Sequence, residues 1–215
     1  MASQKITAFF EKFPTVNLAK DQIIFHYRQS ADYIYLVKSG FITCDSIFSQ
    51  PEKSFPLTIS SPGDIIPLTS IASANNKYPL RHIFCAITPT ILYEAPLKQF
   101  REFVQKDQSV YYYLQQKIAK ILYNLINHLE ILLNNSAEEK VMNILFYLFN
   151  NFSKKTKDGY ILQFPLTHKK LASFCNLSRE TTTKVVDKLL QQKKFQYQNH
   201  FFLSSKCDFD YKTHH

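Results

Sequence analysis

Residues 166–184 read LTHKKLASFCNLSRETTTK and contain the clearest structural pattern in the chain. Thr167 is a good N-cap for a helix over 168–175. Asn176 is able to take the left-handed conformation that ends a helix and turns the chain. Ser178 then caps a second helix. Two short helices joined by a three-residue turn predict a helix-turn-helix.

The second helix, over 179–192, has an apolar and a polar face. At about 100° per residue the inward positions are Thr182, Val185, Val186 and Leu189. The outward positions are Glu180, Thr183, Lys184, Asp187 and Gln191. Polar side chains near the N-terminus of such a helix are the ones that reach base edges in DNA. A second interpretation stays open, in which Glu180 and Lys184 form an ordinary surface pair one helical turn apart.

The residues predicted to contact DNA lie around the starts of the two helices. An arginine offers a bidentate fork to guanine, and a carboxylate accepts a hydrogen bond from cytosine. Hydroxyl groups and the amides at helix starts suit phosphates. The predicted set is Thr167, Lys169, Lys170, Ser178, Arg179, Glu180, Thr181, Thr183 and Lys184.

A hairpin is predicted after the second helix. Phe195–Gln198 and Phe201–Leu203 have strand character, and Asn199-His200 forms the tight turn between them. A helix-turn-helix followed by a hairpin is a winged helix.

Charge agrees with a polyanionic partner. The chain has 26 Lys and Arg against 17 Asp and Glu. Residues 151–215 hold 12 of the basic and 5 of the acidic side chains, so the excess is concentrated in the C-terminal third. Solvated surface lysines are the alternative explanation, and charge alone does not decide between the two.

The N-terminal part has short apolar runs separated by turn residues. The strand candidates are Ile23–Phe25, Tyr33–Val37, Phe41–Thr43, Leu57–Ile59, Ile83–Ile87 and Ile91–Tyr93. Asn17–Asp21 is expected to be a turn before the first strand. Many short strands at this spacing predict an antiparallel jelly-roll β-barrel.

A long helix over Asp107–Asn134 follows a shorter helical segment, and it contains neither Gly nor Pro. Apolar positions and one histidine repeat with the 4-3-4-3-4 spacing of a coiled-coil seam: Leu114, Ile118, Ile121, Leu125, His128 and Leu132. A second stripe contains Leu122, Ile126, Leu129 and Leu133. Two apolar faces need two partners, and the same helix of a second copy is the simplest second partner. A helix buried inside a monomer is the alternative.

His128 in this seam has two interpretations. A lone seam histidine is most often a polar break that sets the register, but it is also able to sense pH or to bind haem or metal.

Ser136 and Glu139 form a capping box for a further helix, Ala137–Asn150. Asn134-Asn135 is the expected hinge, and Ser153–Gly159 is expected to be a polar connector. The predicted fold class is therefore α+β, with an effector-type barrel domain over 1–106, a long dimerisation helix and hinge over 107–135, and a winged helix-turn-helix domain over 136–215.

Several classes of protein are disfavoured. The three glycines lie at positions 40, 63 and 159, so no glycine-rich phosphate loop is present. The four cysteines form no C-x-x-C pair, which argues against zinc ribbons and iron–sulfur clusters. No nucleophile–base pair indicates an enzyme. With neither a signal peptide nor an apolar run of about 18 residues, we expect a cytoplasmic protein without a membrane span.

Residues 166–184 resemble the Crp/Fnr family of bacterial transcription regulators, whose signature is Thr-x-x-x-Leu-Ala…Gly-x-Ser-Arg-Glu-Thr-x-x-Arg. Asn176 replaces the usual Gly, and Lys184 replaces the usual Arg, which keeps the charge but loses the fork. The resemblance implies base-reading roles for Arg179, Glu180 and Lys184, and phosphate roles for Thr167, Ser178 and Thr181. It further implies a homodimer on an inverted-repeat site in double-stranded DNA, with RNA polymerase as a further partner.

The predicted barrel also contains segments that resemble this family. Tyr33–Gly40 is similar to the family's Leu-Tyr-x-Val-x-x-Gly strand and turn, and Ser61–Ile65 is similar to its x-Pro-Gly-Asp-x turn. Cyclic-nucleotide-binding members have Gly-Glu after this turn and a later Arg-Ser or Arg-Thr. Here the first pair is Pro67-Leu68, and the second is Arg81-His82.

These replacements bear on the effector. Pro67 has no amide hydrogen to donate, and Leu68 cannot accept a hydrogen bond. Arg81 is therefore the only effector-binding candidate, and a weak one. A cyclic nucleotide is not expected, and neither is an iron–sulfur cluster, because residues 1–43 lack the cysteines of oxygen-sensing members. The alternative function is a small-molecule or redox sensor whose barrel binds an effector and whose DNA binding is secondary.

Overall fold

The computed structural model describes residues 1–25, 32–47, 54–72 and 82–205. The chain divides into two compact units, Met1–Leu125 and Ile126–His215. The division falls inside the long helix that the sequence predicted.

The N-terminal unit is built on two four-stranded antiparallel sheets. Its strands are β1 (Thr15–Leu18), β2 (Ile23–Phe25), β3 (Tyr33–Ser39), β4 (Ile42–Ile47), β5 (Ser54–Ser60), β6 (Ile65–Ile66), β7 (His82–Ala86) and β8 (Thr90–Pro96). One sheet has the order β1-β8-β3-β6 and the other the order β2-β7-β4-β5. This alternation between two sheets confirms the predicted antiparallel jelly-roll.

Four helices accompany these strands: α1 (Ala2–Phe10), α2 (Thr69–Ala72), α3 (Leu97–Lys106) and α4 (Gln108–Leu133). One apolar cluster joins α1, α3 and the start of α4 to β3 and contains Phe10, Phe100 and Leu114. A second cluster, which includes Ile42 and Leu92, fills the space between the sheets. The helices therefore have a core of their own beside the barrel core.

The start of the chain differs from the sequence-based expectation. The expected turn at Asn17–Asp21 is partly wrong, because Asn17 and Leu18 belong to β1 and pair with Ile91 and Thr90 of β8. The turn begins later, where Asp21 has a φ of 66°. Pairing with β8 overrides the local turn preference of asparagine, since strand preference depends on the tertiary context.

The turn between β3 and β4 requires a glycine. Gly40 has a φ of +87°, and a Cβ atom added there would lie 2.4 Å from Thr90 Oγ1. A side chain at this position would therefore be strained and would collide with β8.

Helix α4 runs within one residue of its predicted bounds at each end. Asp107 caps it, because Asp107 Oδ1 accepts hydrogen bonds from the amides of Ser109 at 2.9 Å and Val110 at 3.3 Å. Lys5 of α1 holds the other oxygen of this carboxylate at 2.6 Å. The first turn of α4 is therefore fixed by hydrogen bonds as well as by the apolar cluster.

The C-terminal unit has three further helices and one sheet. Its elements are α5 (Ala137–Phe152), β9 (Ser153–Thr156), β10 (Gly159–Leu162), α6 (His168–Cys175), α7 (Arg179–Gln191), β11 (Gln196–Gln198) and β12 (Phe201–Ser204). The sheet is antiparallel with the order β11-β12-β10-β9. The largest fully buried side chains of this unit include Phe149, Phe164, Phe174 and Phe202.

Ser136 caps α5 as predicted, since its hydroxyl accepts from the amide of Glu139 at 3.3 Å. The expected polar connector at Ser153–Gly159 is wrong in its first part, which forms β9. Lys154 and Lys155 are exposed on β9. Lysine-rich edge strands of this kind lack the apolar alternation by which a strand is recognised in sequence.

Candidate nucleic-acid interface

The helix-turn-helix is held by two side-chain caps and one left-handed residue. Thr167 Oγ1 accepts from the amide of Lys170 at 3.2 Å and caps α6. Asn176 ends this helix in the left-handed conformation, with φ 50° and ψ 47°. Ser178 Oγ accepts from the amide of Thr181 at 3.1 Å and caps α7. The two caps and the left-handed turn are where the sequence predicted them.

Helix α7 buries one face and exposes the other. Thr182, Val186 and Leu189 are buried, and Thr182 Oγ1 donates to the carbonyl of Ser178 at 2.9 Å. Val185, which was also predicted to face inward, is half-buried. This packing holds the polar residues of the first two turns on the outer surface.

The nine predicted DNA contacts differ in their exposure. Five of them are exposed, namely Lys169, Ser178, Arg179, Glu180 and Lys184. Four are half-buried, namely Thr167, Lys170, Thr181 and Thr183. All nine lie in the first two turns of α6 and α7 or at the residues that cap them.

Glu180 is poised to act as a charged acceptor. Its pKa is held below the ordinary value, first by a hydrogen bond from its own backbone amide and then by the Ser178 hydroxyl. Within the described residues, no ion pair involves Glu180 or Lys184. The surface pair considered from the sequence is therefore not formed, and both charges are available to a ligand.

The wing is the hairpin of β11 and β12. Its turn residues Asn199 and His200 have φ values of 49° and 68°. Positive φ at both central residues is the geometry of the type I′ turn that favours two-residue hairpins. The amide of Leu166 donates to the carbonyl of His200 at 2.7 Å, so the tip of the wing lies beside the entry to α6.

A cluster around His168 was missed by sequence reasoning. His168 Nδ1 lies 3.1 Å from Thr183 Oγ1, and the His168 ring lies 4.9 Å from the ring of Tyr197. The Tyr197 hydroxyl lies 3.3 Å from the carbonyl oxygen of Leu166 and 3.2 Å from His200 Nδ1. These residues come from α6, α7 and the wing, and no regular spacing in the sequence connects them.

The residues of the expected effector slot are packed inside the barrel unit. Pro67 is buried, and Leu68 belongs to the apolar cluster of the helices. The preceding turn is fixed by Asp64, whose Oδ2 accepts from the amide and the hydroxyl of Ser61, each at 2.9 Å. Arg81 lies outside the described residues.

The predicted dimer seam divides between covered and exposed residues. Leu114 and His128 are buried, with 4% and 5% of their surface exposed. His128 Nε2 lies 2.9 Å from the carbonyl oxygen of Phe174, which gives it a partner within its own unit. Leu125 and Leu132 are half-buried. Leu114 and His128 are therefore covered within the single chain.

The rest of α4 exposes an apolar surface that we call the α4 stripe. It contains two seam residues and the whole second stripe of the sequence analysis: Ile118, Ile121, Leu122, Ile126, Leu129 and Leu133. Leu122, Leu129 and Leu133 are 57%, 60% and 80% exposed. Large leucines this exposed at helical spacing indicate an interaction surface.

Two of the described thiols have raised pKa values. Burial raises the pKa of Cys44 to about 12 and raises that of Cys175 as well. Both therefore stay protonated at neutral pH. No group of three or more His, Cys, Asp or Glu side chains suited to a metal occurs in the part of the chain that the structure describes. His26 and Cys207 lie outside that part.

Among the described residues, none of the helices combines the length and the hydropathy that a membrane crossing requires.

Comparison with known proteins identifies a matching domain family and similar regulators. Residues 15–107 match the cyclic nucleotide-binding domain family. The HTH-type transcriptional regulator ArcR of Staphylococcus haemolyticus is 23% identical over 184 residues, which cover 81% of this chain and 75% of that protein.

Solved structures of similar proteins share the fold over nearly the whole chain. The c-di-GMP responsive global regulator CLP of Xanthomonas campestris superposes with a TM-score of 0.77 at 15% identity, covering 95% of this chain and 99% of the other. FixK2 of Bradyrhizobium japonicum gives a TM-score of 0.75 at 17% identity, with coverages of 91% and 93%. ArcR and CLP are both named as regulators.

Proposed function

We propose that this chain is a transcription regulator of the Crp/Fnr family that binds an inverted-repeat site in double-stranded DNA as a homodimer and reads each half-site with α7. The observation that carries the proposal is the outer face of α7, where Arg179, Glu180 and Lys184 are exposed and form no ion pair in the described chain. Exposed, unpaired charges at the start of a capped helix are what base readout in a major groove needs.

Binding would begin with electrostatic capture of the phosphate backbone. Lys169 and Lys170 at the first turn of α6 supply charge without sequence preference. The Ser178 and Thr181 hydroxyls, which lie 2.9 Å apart, and the amide of Arg179 at the start of α7 offer donors to a phosphate. These contacts orient α7 but do not distinguish one sequence from another.

Base readout would then fall to the charged residues of α7. Arg179 is suited to the O6 and N7 acceptors of guanine, and the ionised Glu180 is suited to the amino group of cytosine. Lys184 brings a single ammonium instead of the fork that an arginine would supply. We therefore expect the preference at the base pair facing Lys184 to be weaker than the preference at the pair facing Arg179.

Dimerisation would use the α4 stripe. Its leucines and isoleucines follow one face of a helix, and a second copy of the same face would cover them around a two-fold axis. This proposal replaces Leu114 and His128 of the predicted seam by Leu122, Ile126, Leu129 and Leu133. Two-fold symmetry of the protein would match an inverted repeat in the DNA.

The regulatory signal is proposed to be something other than a cyclic nucleotide. Pro67 has no amide hydrogen, and the side chain of Leu68 is committed to the core. A ribose hydroxyl and a phosphate would therefore lack two of the polar partners that such a site supplies. Since the similar proteins are transcription regulators, RNA polymerase remains the proposed protein partner on DNA.

The decisive experiment is selection of bound duplexes from random DNA by the full chain. We expect an inverted repeat with half-sites about one helical turn apart. Arg179→Ala and Glu180→Ala should relax the preference at single base pairs. Lys169→Ala should weaken binding to all sequences alike and reduce the salt dependence. Lys20→Ala, an exposed lysine of the barrel unit, is the matched control. Recovery of unselected sequences by the wild-type protein would refute the proposal.

A further inference from the structure

Thr183 lies on the outer side of α7, and its hydroxyl also contacts a residue of α6. His168, the first residue of α6, places Nδ1 at 3.1 Å from Thr183 Oγ1. The other side of the imidazole packs against the ring of Tyr197, with 34° between the two planes. The histidine is thus held between the recognition helix and the wing.

The environment of His168 selects one tautomer. Burial is the main cause that lowers its pKa, and Arg179 and His200 act in the same direction, while Asp187 opposes them. The ring is therefore neutral at pH 7 and carries a single hydrogen. Nε2 is buried, and no residue that the structure describes lies within hydrogen-bonding reach of it.

A hydrogen on Nε2 would be a buried donor without an acceptor, which is costly. A hydrogen on Nδ1 has an acceptor in Thr183 Oγ1. The arrangement with Nδ1–H donating to the threonine hydroxyl is therefore the favoured one. It leaves the hydroxyl's own hydrogen to find an acceptor elsewhere, and the described part of the chain provides none.

We infer that His168 fixes the Thr183 hydroxyl as a hydrogen-bond donor towards DNA, so that this position of α7 selects an acceptor on the duplex. The inference rests on the proposed function. The acceptor is either a base-edge atom such as a purine N7 or a phosphate oxygen, since both present lone pairs in or beside the major groove.

His168 acts in this arrangement as a positioning residue, and Thr183 makes the contact. A threonine hydroxyl in a helix otherwise tends to donate to the carbonyl of its own helix one turn earlier. Holding the oxygen as an acceptor for Nδ1–H keeps the hydroxyl group at the outer side of the helix. The imidazole therefore controls what the threonine offers to a ligand.

The test uses the full chain and the duplex obtained by selection. Thr183→Val keeps the shape of the side chain and removes its hydroxyl. His168→Leu removes the imidazole that donates to this hydroxyl. Each should weaken binding about three- to tenfold, as loss of one hydrogen bond does. The double variant should be no weaker than Thr183→Val alone, because both changes remove the same contact.

His168→Asn should restore most of the affinity, because its amide group can donate from near the position of Nδ1. A merely structural role of the ring would not give this rescue. Ser173→Ala is the matched control, since this hydroxyl donates to the carbonyl of Lys169 in its own helix at 3.2 Å and has no role in the inference. Circular dichroism and thermal unfolding would check that each variant is folded.

Duplexes with single base-pair changes and duplexes with single methylphosphonate groups distinguish the two acceptors. If Thr183 contacts a base edge, Thr183→Val loses the preference at one base pair. If it contacts a phosphate, the wild-type protein is sensitive to one methylphosphonate, and Thr183→Val is not.

The outcomes separate this inference from the proposed function. A wild-type protein that selects a site, together with a Thr183→Val variant that binds each duplex as tightly as the wild-type protein does, would refute the inference alone. Additive losses in the double variant would refute it too. A wild-type protein without any sequence preference would refute the proposed function.

Discussion

Replacing Leu129 on the α4 stripe by alanine should separate the proposed dimer without unfolding the chain. Leu129 is 60% exposed in the single chain, so most of its side chain contributes nothing to the core. Surface substitutions of this kind usually change the free energy of unfolding by about 0.5 kcal/mol or less. We expect the monomer of the variant to be as stable as the wild-type monomer.

The magnitude follows from the area that a partner would cover. Fully burying a leucine side chain contributes about 1.5–3 kcal/mol. Because roughly 60% of the Leu129 surface remains to be buried, covering it is worth about 1–2 kcal/mol in each chain. A two-fold dimer loses this contribution twice, which corresponds to about 30- to 900-fold in the dimer Kd. Alanine keeps the Cβ atom, so this range is an upper bound.

Sedimentation equilibrium over a range of protein concentrations measures this Kd directly. Gln116→Ala is the matched control, because Gln116 is exposed on the opposite side of the same helix. An unchanged Kd for Leu129→Ala would show that the stripe is not the interface. A wild-type chain that sediments as a monomer at every concentration would refute the dimer altogether.

Three further predictions concern stability and thiol reactivity. Asn176→Gly should leave the free energy of unfolding unchanged or raise it, and Asn176→Ala should lower it by about 1 kcal/mol, because the residue has a φ of 50°; urea unfolding measures both. Burial lowers the pKa of His168 in the folded chain, so the unfolded chain takes up the proton more readily. The part of the free energy of unfolding that depends on this group should have its full value above the ordinary pKa of about 6.5 and should decline as the pH falls below it. A smaller decline in His168→Asn than in the wild-type protein would support this prediction, and an equal decline would contradict it. Cys44 and Cys175 should resist a thiol-specific reagent at pH 7.5 until the chain is unfolded, which mass spectrometry of the labelled protein would detect.

The sequence was most informative where local chemistry determines the backbone. Caps such as Ser178, the left-handed Asn176 and the Asn199-His200 turn each depend on residues that are close in the chain. Local hydrogen bonds and φ preferences are therefore sufficient to predict them. The helix-turn-helix and the wing follow from these signals.

The sequence was less informative where a partner element decides the outcome. Strand β1 exists because it pairs with β8, and β9 is a lysine-rich edge without alternation. On α4 the pattern revealed two apolar stripes but not which residues the rest of the chain covers. Leu114 and His128 belong to the covered face, and only tertiary packing determines that assignment. The His168–Thr183 contact also depends on how two helices meet.

The apolar stripe on the continuous helix α4 limits how the length of this helix can change. Leu122 and Leu129 are both exposed on this one helix and belong to the same stripe. Each inserted residue would turn the second part of the stripe by about 100° around the helix axis. A single insertion after Leu125 would therefore put the two parts out of phase, whereas seven residues would bring them back to within about 20°. Homologous chains that keep the stripe should thus differ in this helix by whole heptads.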